Sequence, residues 1–291
     1  MEFVKKSLTT AKTRVGIVPL LDDRLSGPEP RRSYRVIHVS DLTHEDGFCP
    51  RAAILLQKFS RQRKPMYVST AMRVAFDNGN ALHDLVRNKW LRDDVVGQWV
   101  CSGCDWTIKF SKRPRFNCKQ CHRDLWVYHE EEFTDQQTGV VGSIDFFLDL
   151  GTGKHVMCEA KSLDKDMFRN LKAPMGEHRV RTQTYLALIA RSGRPEVDRI
   201  DLTHGRILYI SKGFGIKDEQ YHKILPFKEF IVERQDSSSG VYLGLAKLVN
   251  DYRNHGGPMP HGVCATAYDK RAKYCPVSME CFSGKFPPGK P

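Results

Sequence analysis

The chain has 291 residues, nine cysteines and a formal net charge of +12, from 46 lysines and arginines against 34 aspartates and glutamates. A chain of this length buries roughly three quarters of its unfolded surface, so disulfide bonds are not needed for stability. No apolar run approaches the roughly 20 residues of a membrane-spanning helix, and residues 1–21 lack the apolar core of a secretion signal. We therefore expect a cytoplasmic protein without a membrane partner, built as one large domain with an insert or as two small domains.

Turn signals and hydrophobic periodicity first separate an N-terminal arm from a larger domain. Residues 1–35 contain the breaker Gly27-Pro28-Glu29-Pro30 and a basic run, and we expect them to form a loosely structured arm. In the remaining domain, residues 36–291, apolar residues recur at three- and four-residue spacing, which is typical of helices. This spacing over 69–91, a proline suited to a first turn at residue 50, and Gly/Pro stop signals after 190 and 254 predict helices at about 50–59, 69–91, 177–190 and 241–254.

Runs of apolar residues between turn signals predict a β-sheet in the same domain. The first three strands are separated by short Gly-containing turns and are expected to form an antiparallel meander. The last 35 residues are expected to be irregular. Together these elements predict an α/β fold, a mixed sheet flanked by helices, with strands at 125–134, 140–150, 154–162, 205–211 and about 221–225.

The positive charge and the cysteines narrow the classes of function. Lysines and arginines that neutralise phosphates release condensed counterions, so the charge excess favours a polyanionic partner. The alternative is a basic protein that its charge merely keeps soluble. Nine cysteines without an export signal are more typical of metal binding or catalysis than of disulfide bonds.

Two carboxylates and a lysine are predicted to converge on neighbouring strands. On strand 154–162, Glu159 and Lys161 alternate with small apolar residues and therefore share one face of the sheet. Asp145 lies fourteen residues before Glu159, which is the separation expected for adjacent antiparallel strands joined by a short turn. Hard cations such as Mg²⁺ or Mn²⁺ bind one or two carboxylates together with substrate phosphates. The alternative is a salt-bridge cluster on an exposed sheet face.

This pattern resembles the PD-(D/E)XK nucleases, whose fold is restriction-endonuclease-like. Asp145 followed by Glu159-Ala160-Lys161 corresponds to the family motif, and two further features are similar to the RecB-like branch. In that branch a Gly-x-x-x-His helix precedes the catalytic strands, as Gly79 and His83 do here, and a Gln-bearing helix follows them, as Gln183 does here. The branch usually reads Gln-x-x-x-Tyr, whereas this chain has Ala187 at the tyrosine position. The resemblance covers about residues 40–192 and the C-terminal cysteines.

The resemblance implies a metal-dependent DNA nuclease, bacterial or phage-encoded, that serves DNA recombination, repair or replication. We expect an exonuclease that acts on single-stranded DNA or duplex ends. The resemblance further implies that Lys161 orients the attacking water and that Gln183 positions this lysine or a phosphate. One of the glutamates at 130–132 could add a carboxylate, but the strand register is open. The expected ligands of Mg²⁺ or Mn²⁺ are His83, Asp145, Glu159 and the carbonyl of Ala160.

Four cysteines lie in an insert at residues 98–124. They form two Cys-x-x-Cys pairs separated by thirteen residues, a spacing that predicts a tetrahedral Zn²⁺ site of the zinc-ribbon type. A redox dithiol is the alternative, and the thioredoxin-like context that it requires is missing from the sequence. The zinc ligands are expected to be Cys101, Cys104, Cys118 and Cys121.

The loop between the two pairs alternates basic and aromatic residues. Such a loop can follow a phosphate backbone and stack bases. The alternative is that the aromatic residues pack the insert itself. The residues concerned are Lys109, Lys112, Arg113 and Arg115 with Trp106, Phe110 and Phe116.

The remaining cysteines comprise one core residue and a second set of four. Cys158 points into the core by strand alternation. Cys49, in a Cys-Pro-Arg sequence, and three C-terminal cysteines resemble the iron–sulfur nucleases of the RecB-like branch, among them the CRISPR-associated adaptation exonucleases and AddB. The resemblance implies a structural [4Fe–4S] cluster, which needs four thiolates. Because one of the tail gaps is longer than in the family, a second Zn²⁺ stays open for Cys49, Cys264, Cys275 and Cys281.

Two other functions stay open on the sequence alone. One is a non-catalytic zinc-ribbon protein that binds nucleic acid and whose carboxylates have a structural role. The other is a nuclease directed at RNA, because the same metal chemistry cleaves both kinds of phosphodiester.

Overall fold

The computed structural model of the chain describes residues 17–28, 34–44, 47–59, 67–213, 215–222 and 225–283. Across those ranges, no helix combines the length and the hydropathy that crossing a bilayer requires. The helices are α1 (Ile17–Leu25), α2 (Val39–Leu42), α3 (Pro50–Phe59), α4 (Thr70–Leu85), α5 (Lys165–Asn170), α6 (Gly176–Arg191), α7 (Ile216–His222), α8 (Asp236–His255), α9 (Lys270–Tyr274) and α10 (Ser278–Phe282).

The strands of the described ranges belong to three sheets. A π-helical turn, Val86–Trp90, follows α4, and a 3-10 helix, Pro195–Arg199, precedes β11. The strands are β1 (Gly27–Pro28), β2 (Ile37–His38), β3 (Tyr67–Val68), β4 (Val95–Cys101), β5 (Thr107–Lys112), β6 (Trp126–His129), β7 (Glu131–Thr134), β8 (Val140–Ile144), β9 (Phe146–Asp149), β10 (His155–Leu163), β11 (Ile200–Ser211) and β12 (Phe227–Glu233).

The chain divides into two compact units, one made of Met1–Arg32 and Arg63–Ala81, the other of Ser33–Gln62 and Leu82–Pro291. In the smaller unit, β1 pairs with β3 in antiparallel orientation, and the Thr70 hydroxyl donates a hydrogen bond to the Asp22 carboxylate. The expectation of a loosely structured arm is wrong for residues 17–25, which form α1. Pro19 is compatible with this helix because it lies in the first turn, where helices tolerate proline. Residues 1–16 and 29–33 of the expected arm lie outside the described residues.

The larger unit contains a seven-stranded mixed sheet in the order β12-β11-β10-β9-β4-β5, with β6 also paired to β4. Strands β10 and β11 are parallel, and their connection runs through α5 and α6, as a parallel pair requires. The other pairs are antiparallel. The predicted α/β fold with a mixed sheet and flanking helices is therefore confirmed.

Two of the predicted strands are each divided between two sheets. The segment 125–134 forms β6 and β7, and the segment 140–150 forms β8 and β9, while β2, β8 and β7 make a separate three-stranded sheet. The meander is confirmed for β9 with β10 and for β7 with β8. The two divisions fall at Glu130 and Asp145, so both acidic residues lie where the chain passes from one sheet to the other.

The helix predictions hold better than the prediction of the last strand. Helix α3 has the predicted bounds, α6 is one residue longer at each end, and the segment 69–91 forms α4 and the π-helical turn. The strand expected at 221–225 is wrong, because α7 occupies the chain up to His222 and β12 begins at Phe227. Asp218 stabilises α7 by accepting the Gly215 N–H at 2.9 Å and by pairing with Lys165 at 2.7 Å. The tail expected to be irregular contains α9 and α10.

Helix α6 packs against β11 and α8 and is buried over eight consecutive residues, 182–189. A helix that is buried on all sides must satisfy its polar side chains internally. The hydroxyl of Thr182 donates to the carbonyl of His178, and that of Thr184 donates to the carbonyl of Val180, both at 2.9 Å. These bonds satisfy both hydroxyls inside the helix, and α6 as a whole packs on β11, the parallel neighbour of the strand that carries Glu159 and Lys161.

Candidate active site

The register of β9 and β10 brings Asp145 next to Glu159. Phe146 pairs with Cys158 and Phe147 with Met157, so continuing the same register places Asp145 opposite Glu159. The main-chain N–H of Ala160 donates to Asp145 Oδ2 at 2.7 Å, which fixes this carboxylate directly before the start of β9. The two carboxylates thus lie on adjacent antiparallel segments, as their separation in sequence predicts.

Two cations surround the carboxylate of Glu159, whose side chain is only 3% exposed. Lys161 Nζ lies 2.6 Å from Glu159 Oε1, and Arg181 Nη1 lies 3.8 Å from the same oxygen. Burial raises the pKa of Glu159, and the opposing charge of Lys161 offsets only part of the increase. Burial alone would lower the pKa of Lys161, but the Glu159 and Asp145 charges outweigh it, so the pKa is raised. In this environment the lysine is an ammonium ion.

His83 approaches the other carboxylate from the last turn of α4. Its Nδ1 atom lies 3.9 Å from Asp145 Oδ1, and both side chains are partly accessible to solvent. This distance is too long for a hydrogen bond. It is compatible with two ligands of one ion, since ligands at about 2.1 Å from a metal are about 3 to 4 Å apart.

A second cluster of charged residues begins on the π-helical turn directly after His83's helix. Arg87 donates to Glu130 at 2.7 Å and to Asp84 at 2.9 Å. Burial alone would lower the pKa of Arg87, but its hydrogen bonds to Glu130 and Asp84 and the charge of Asp145 raise it. The glutamates at 130–132 were considered as additional metal ligands. Of these, Glu130 is the one that pairs with Arg87, whose pKa is raised by the Asp145 charge. Single π-helical turns occur frequently at functional sites.

The neighbouring Glu131 has structural contacts. Its Oε1 accepts the N–H of Phe110 at 3.0 Å, and its Oε2 pairs with Arg194 at 3.0 Å. The Arg194 guanidinium also donates to the carbonyl of Glu132 at 2.9 Å and lies over the ring of Phe133. These bonds stabilise β7 rather than the pair of Asp145 and Glu159.

Gln183 and Tyr185 lie on the buried part of α6. The Gln183 amide donates to the carbonyl of Glu233 at 3.2 Å, so in this structure it holds β12. Burial raises the pKa of Tyr185, and the charges of Glu159 and Asp145 raise it further, which places the tyrosine near both carboxylates. Gly142 makes room for it, because a Cβ atom there would lie 2.7 Å from the tyrosine ring.

Sequence reasoning missed Arg181, which lies two residues before Gln183. Besides its contact with Glu159, its Nε donates to the hydroxyl of Thr43 at 3.3 Å. The signal available in the sequence was the position of Arg181, directly before the largely apolar part of a predicted helix. Because buried charges are normally paired, this position indicates an acidic partner.

The first set of cysteines is gathered into one group. The Sγ atoms of Cys101 and Cys121 are 3.4 Å apart, as are those of Cys104 and Cys118, and all four lie within 4.8 Å of one another. A tetrahedral Zn²⁺ with bonds of about 2.3 Å places its sulfurs about 3.8 Å apart, so the donor set fits one zinc ion.

The two Cys-x-x-Cys turns have the same backbone geometry. The residue after each second cysteine, Asp105 or His122, has a positive φ of 60° or 59°. In each turn its N–H donates to the carbonyl of the first cysteine, Cys101 or Cys118, at 2.8 Å. Two equivalent turns therefore present their thiols to one point.

The environment of these thiols suits a cation. Burial raises the pKa of Cys118, but hydrogen bonds from the N–H groups of Cys121 and Gln120 outweigh it and lower the pKa to about 7. The N–H of Trp106 lowers the pKa of Cys104, but burial and the neighbouring thiols together raise it to about 12. Thiolates crowded in this way repel one another, and a bound metal ion removes the repulsion.

The second set of cysteines occupies one region of the larger unit. Arg51, two residues after Cys49, has its Nη1 4.0 Å from Cys281 Sγ and donates from Nε to the carbonyl of Pro260. Burial raises the pKa of Cys275, and the charges of the other three thiols of the set raise it further. Within the described ranges, only the first set brings three or more ligand atoms within 4.8 Å of one another. The sulfurs of the second set are therefore more widely spaced, and so are the ligand atoms of His83, Asp145 and Glu159.

The comparisons with known proteins are distant. No protein-family profile matches the sequence, and no curated protein matches it. The crystal structure of SSO0001 is similar over 91% of this chain and 93% of its own, with a TM-score of 0.39 and 14% identity. The crystal structure of LHK-Exo in complex with dAMP is similar over 74% of this chain and 86% of its own, with a TM-score of 0.42 and 11% identity. Likenesses this distant assign neither an activity nor site residues to the chain.

Proposed function

We propose that the chain is a metal-dependent deoxyribonuclease of the PD-(D/E)XK type, and specifically an exonuclease of the RecB-like branch. The observation that carries the proposal is the convergence of Asp145, directly before β9, with Glu159 and Lys161 inside β10. His83 lies beside Asp145. Its substrates are single-stranded DNA or duplex ends, and the charge of +12 favours such a polyanion.

The groups proposed as ligands of Mg²⁺ or Mn²⁺ are His83, Asp145, Glu159 and the Ala160 carbonyl. In an extended strand the N–H and C=O of one residue point to the same edge. The Ala160 N–H donates to Asp145, so its carbonyl also faces that edge of β10. When bound, the metal ion would polarise the phosphodiester and offset the charge that develops on it.

The protein groups perform three tasks in this proposal. The Lys161 ammonium donates hydrogen bonds to the attacking water or to a phosphate oxygen, and so orients the water and stabilises developing negative charge. Arg181 holds Glu159 in place from α6. Gln183 is proposed to position the lysine or a phosphate, which requires its amide to exchange the Glu233 carbonyl for a new partner when substrate binds.

Two metal groups with structural roles complete the proposal. We assign Zn²⁺ to Cys101, Cys104, Cys118 and Cys121, because their sulfurs are spaced for a single ion. For the second set we favour a [4Fe–4S] cluster over a second zinc. A cubane binds each thiolate through a different iron and therefore tolerates sulfurs that are more widely spaced. This cluster would connect the start of α3 with the tail.

The proposal is tested by digesting end-labelled linear DNA in the presence of Mn²⁺, with matched RNA and EDTA controls. We expect cleavage of single-stranded DNA that EDTA abolishes, with a product ladder that gives the polarity. The Lys161→Ala variant should lose at least about 100-fold in rate, the scale of removing one transition-state donor, and should still bind DNA. Lys247→Ala is the matched control, because Lys247 pairs with Asp251 on the surface of α8. Cleavage by Lys161→Ala at the rate of the unmodified protein would refute the mechanism.

A further inference from the structure

The second Cys-x-x-Cys turn of the larger unit, residues 115–123, is basic and exposed, and is called here the ribbon tip. Between Trp106 and Arg123 the sequence has six lysines and arginines and neither aspartate nor glutamate. Two of these cations are paired with acidic residues elsewhere, Lys112 with Asp149 and Arg113 with Asp124. The ribbon tip itself exposes Arg115, Phe116, Lys119 and Arg123.

An aromatic ring is held rigidly at this tip while half of it remains accessible. Phe116 is 47% exposed, and its carbonyl accepts a hydrogen bond from the indole N–H of buried Trp126 at 2.9 Å. The Phe116 ring packs edge-on against Trp126, which in turn packs against Trp106. The Lys119 ammonium lies over the Phe116 ring, 5.8 Å from its centre. The scaffold therefore presents a half-exposed aromatic ring together with a positive charge.

The other aromatic residues of the loop have a different role. Phe110 is buried and packs against Phe147 in the main core, with ring centres 5.2 Å apart. Trp106 is committed to the contact with Trp126. Of the three aromatic residues in the loop, two thus pack the protein, and Phe116 is the one with an exposed face.

The ribbon tip packs together with the strand that carries Glu159 and Lys161. Cys101, Cys118 and Trp126 share one hydrophobic cluster with Cys158 and Ala160 of β10. Val96 of β4 pairs with Phe147 of β9 in antiparallel orientation. Continuing this register places residue 98 of β4 opposite Asp145, and residue 98 lies three residues before Cys101. At about 3.4 Å per residue and about 4.8 Å per strand, the cysteine group lies roughly 10 Å along and 10 Å across from Glu159.

We propose that the ribbon tip is a docking platform for single-stranded DNA, where Phe116 stacks a base and Arg115 and Lys119 contact neighbouring phosphates. A single strand fits better than a duplex, because only unpaired bases offer a free face to an aromatic ring. The proposal rests on the proposed function for its choice of DNA, and it adds the path by which a strand reaches the carboxylates.

The first experiment measures binding separately from cleavage. Fluorescence anisotropy in a buffer without added Mg²⁺, Mn²⁺ or chelator follows a labelled 30-nucleotide single strand, with a matched duplex and a matched RNA as competitors. Phe116→Ala should weaken binding of the single strand about 10-fold, and Phe116→Trp should retain it. Arg115→Gln with Lys119→Gln should reduce the slope of log K against log salt by about 1.4, the value for two phosphates. Lys247→Gln is the matched control for a lost surface charge.

The second experiment separates the platform from the cleavage centre. Hydrolysis of the p-nitrophenyl ester of thymidine 5′-monophosphate needs no platform, so the Phe116 and Arg115/Lys119 variants should cleave it at the unmodified rate. Zinc content and circular dichroism check that both variants remain folded.

Unchanged single-strand binding in both variants would overturn the platform. Tighter binding of duplex or of RNA, with the same dependence on Phe116, would overturn the assignment to single-stranded DNA. A protein that binds single strands through Phe116 and yet cleaves neither DNA nor the ester would refute the proposed nuclease and support the platform.

Discussion

The environment of His178 predicts how stability depends on pH. This residue of α6 is buried, with its Nδ1 2.9 Å from the Tyr209 hydroxyl and its Nε2 3.1 Å from Glu177. Burial, followed by the positive charges of Lys161 and Arg181, lowers its pKa to about 4. The folded protein therefore holds a neutral imidazole at pH values where an unfolded chain begins to protonate it.

The sign and size of the effect follow from linkage. Below about pH 6.5 the unfolded state binds the proton more readily than the folded state, so the free energy of unfolding decreases as the pH falls from 6.5 to 4. Each pKa unit corresponds to about 1.4 kcal/mol, which gives a total loss of about 3 kcal/mol and about 2 kcal/mol at pH 5. Above pH 6.5 this group makes no difference to stability.

The assay is urea unfolding in EDTA at pH 7 and at pH 5, for the unmodified protein and for His178→Asn. The asparagine amide keeps a hydrogen-bonding group near the Tyr209 hydroxyl and does not titrate. Other acidic and basic groups titrate in both proteins. Their contributions to the unfolding free energy therefore cancel when the change between the two pH values is compared for the two proteins. Between the two pH values, the unmodified protein should lose about 2 kcal/mol more than the variant. A difference that is independent of pH would refute this account of His178.

The two sets of cysteines give further predictions. Cys104→Ser should reduce bound zinc by at least tenfold and lower the melting temperature by several degrees, because a structural zinc supplies folding free energy. Replacement of the core residue Cys158 by alanine is the control and should leave the zinc content of the protein unchanged. A full complement of zinc in Cys104→Ser would contradict the assignment of zinc to the first set. Protein purified without oxygen should contain iron and acid-labile sulfide, and Cys275→Ser should lose most of both. A colourless protein with two zinc ions would assign the second set to zinc instead.

Local patterns predicted those parts of the fold in which sequence neighbours determine the structure. Helix α3 follows from a proline suited to its first turn and α6 from the Gly/Pro stop signal after it, while β9 and β10 follow from a short glycine turn between two apolar runs. The convergence of Asp145 with Glu159 could be predicted for the same reason, since an antiparallel register is fixed once the turn is known. The spacing of the Cys-x-x-Cys pairs likewise predicted a single group of four thiols.

The remaining features depend on contacts between distant residues, which local patterns do not contain. Arg181 meets Thr43, and Arg87 meets Glu130, across long stretches of chain. The division of two predicted strands at Glu130 and Asp145 arises because a second sheet, formed around β8, competes for the same residues. Helix α7 replaced a predicted strand because Asp218 forms ion pairs with two residues of α5.

The most direct test of the central claim is the cleavage rate of Lys161→Ala on end-labelled single-stranded DNA in Mn²⁺, measured beside its affinity for the same strand. We expect a rate at least about 100-fold below that of Lys247→Ala, with an affinity within a few-fold of it. Equal rates in the two variants would contradict the claim that Asp145, Glu159 and Lys161 form a phosphodiester-cleaving centre.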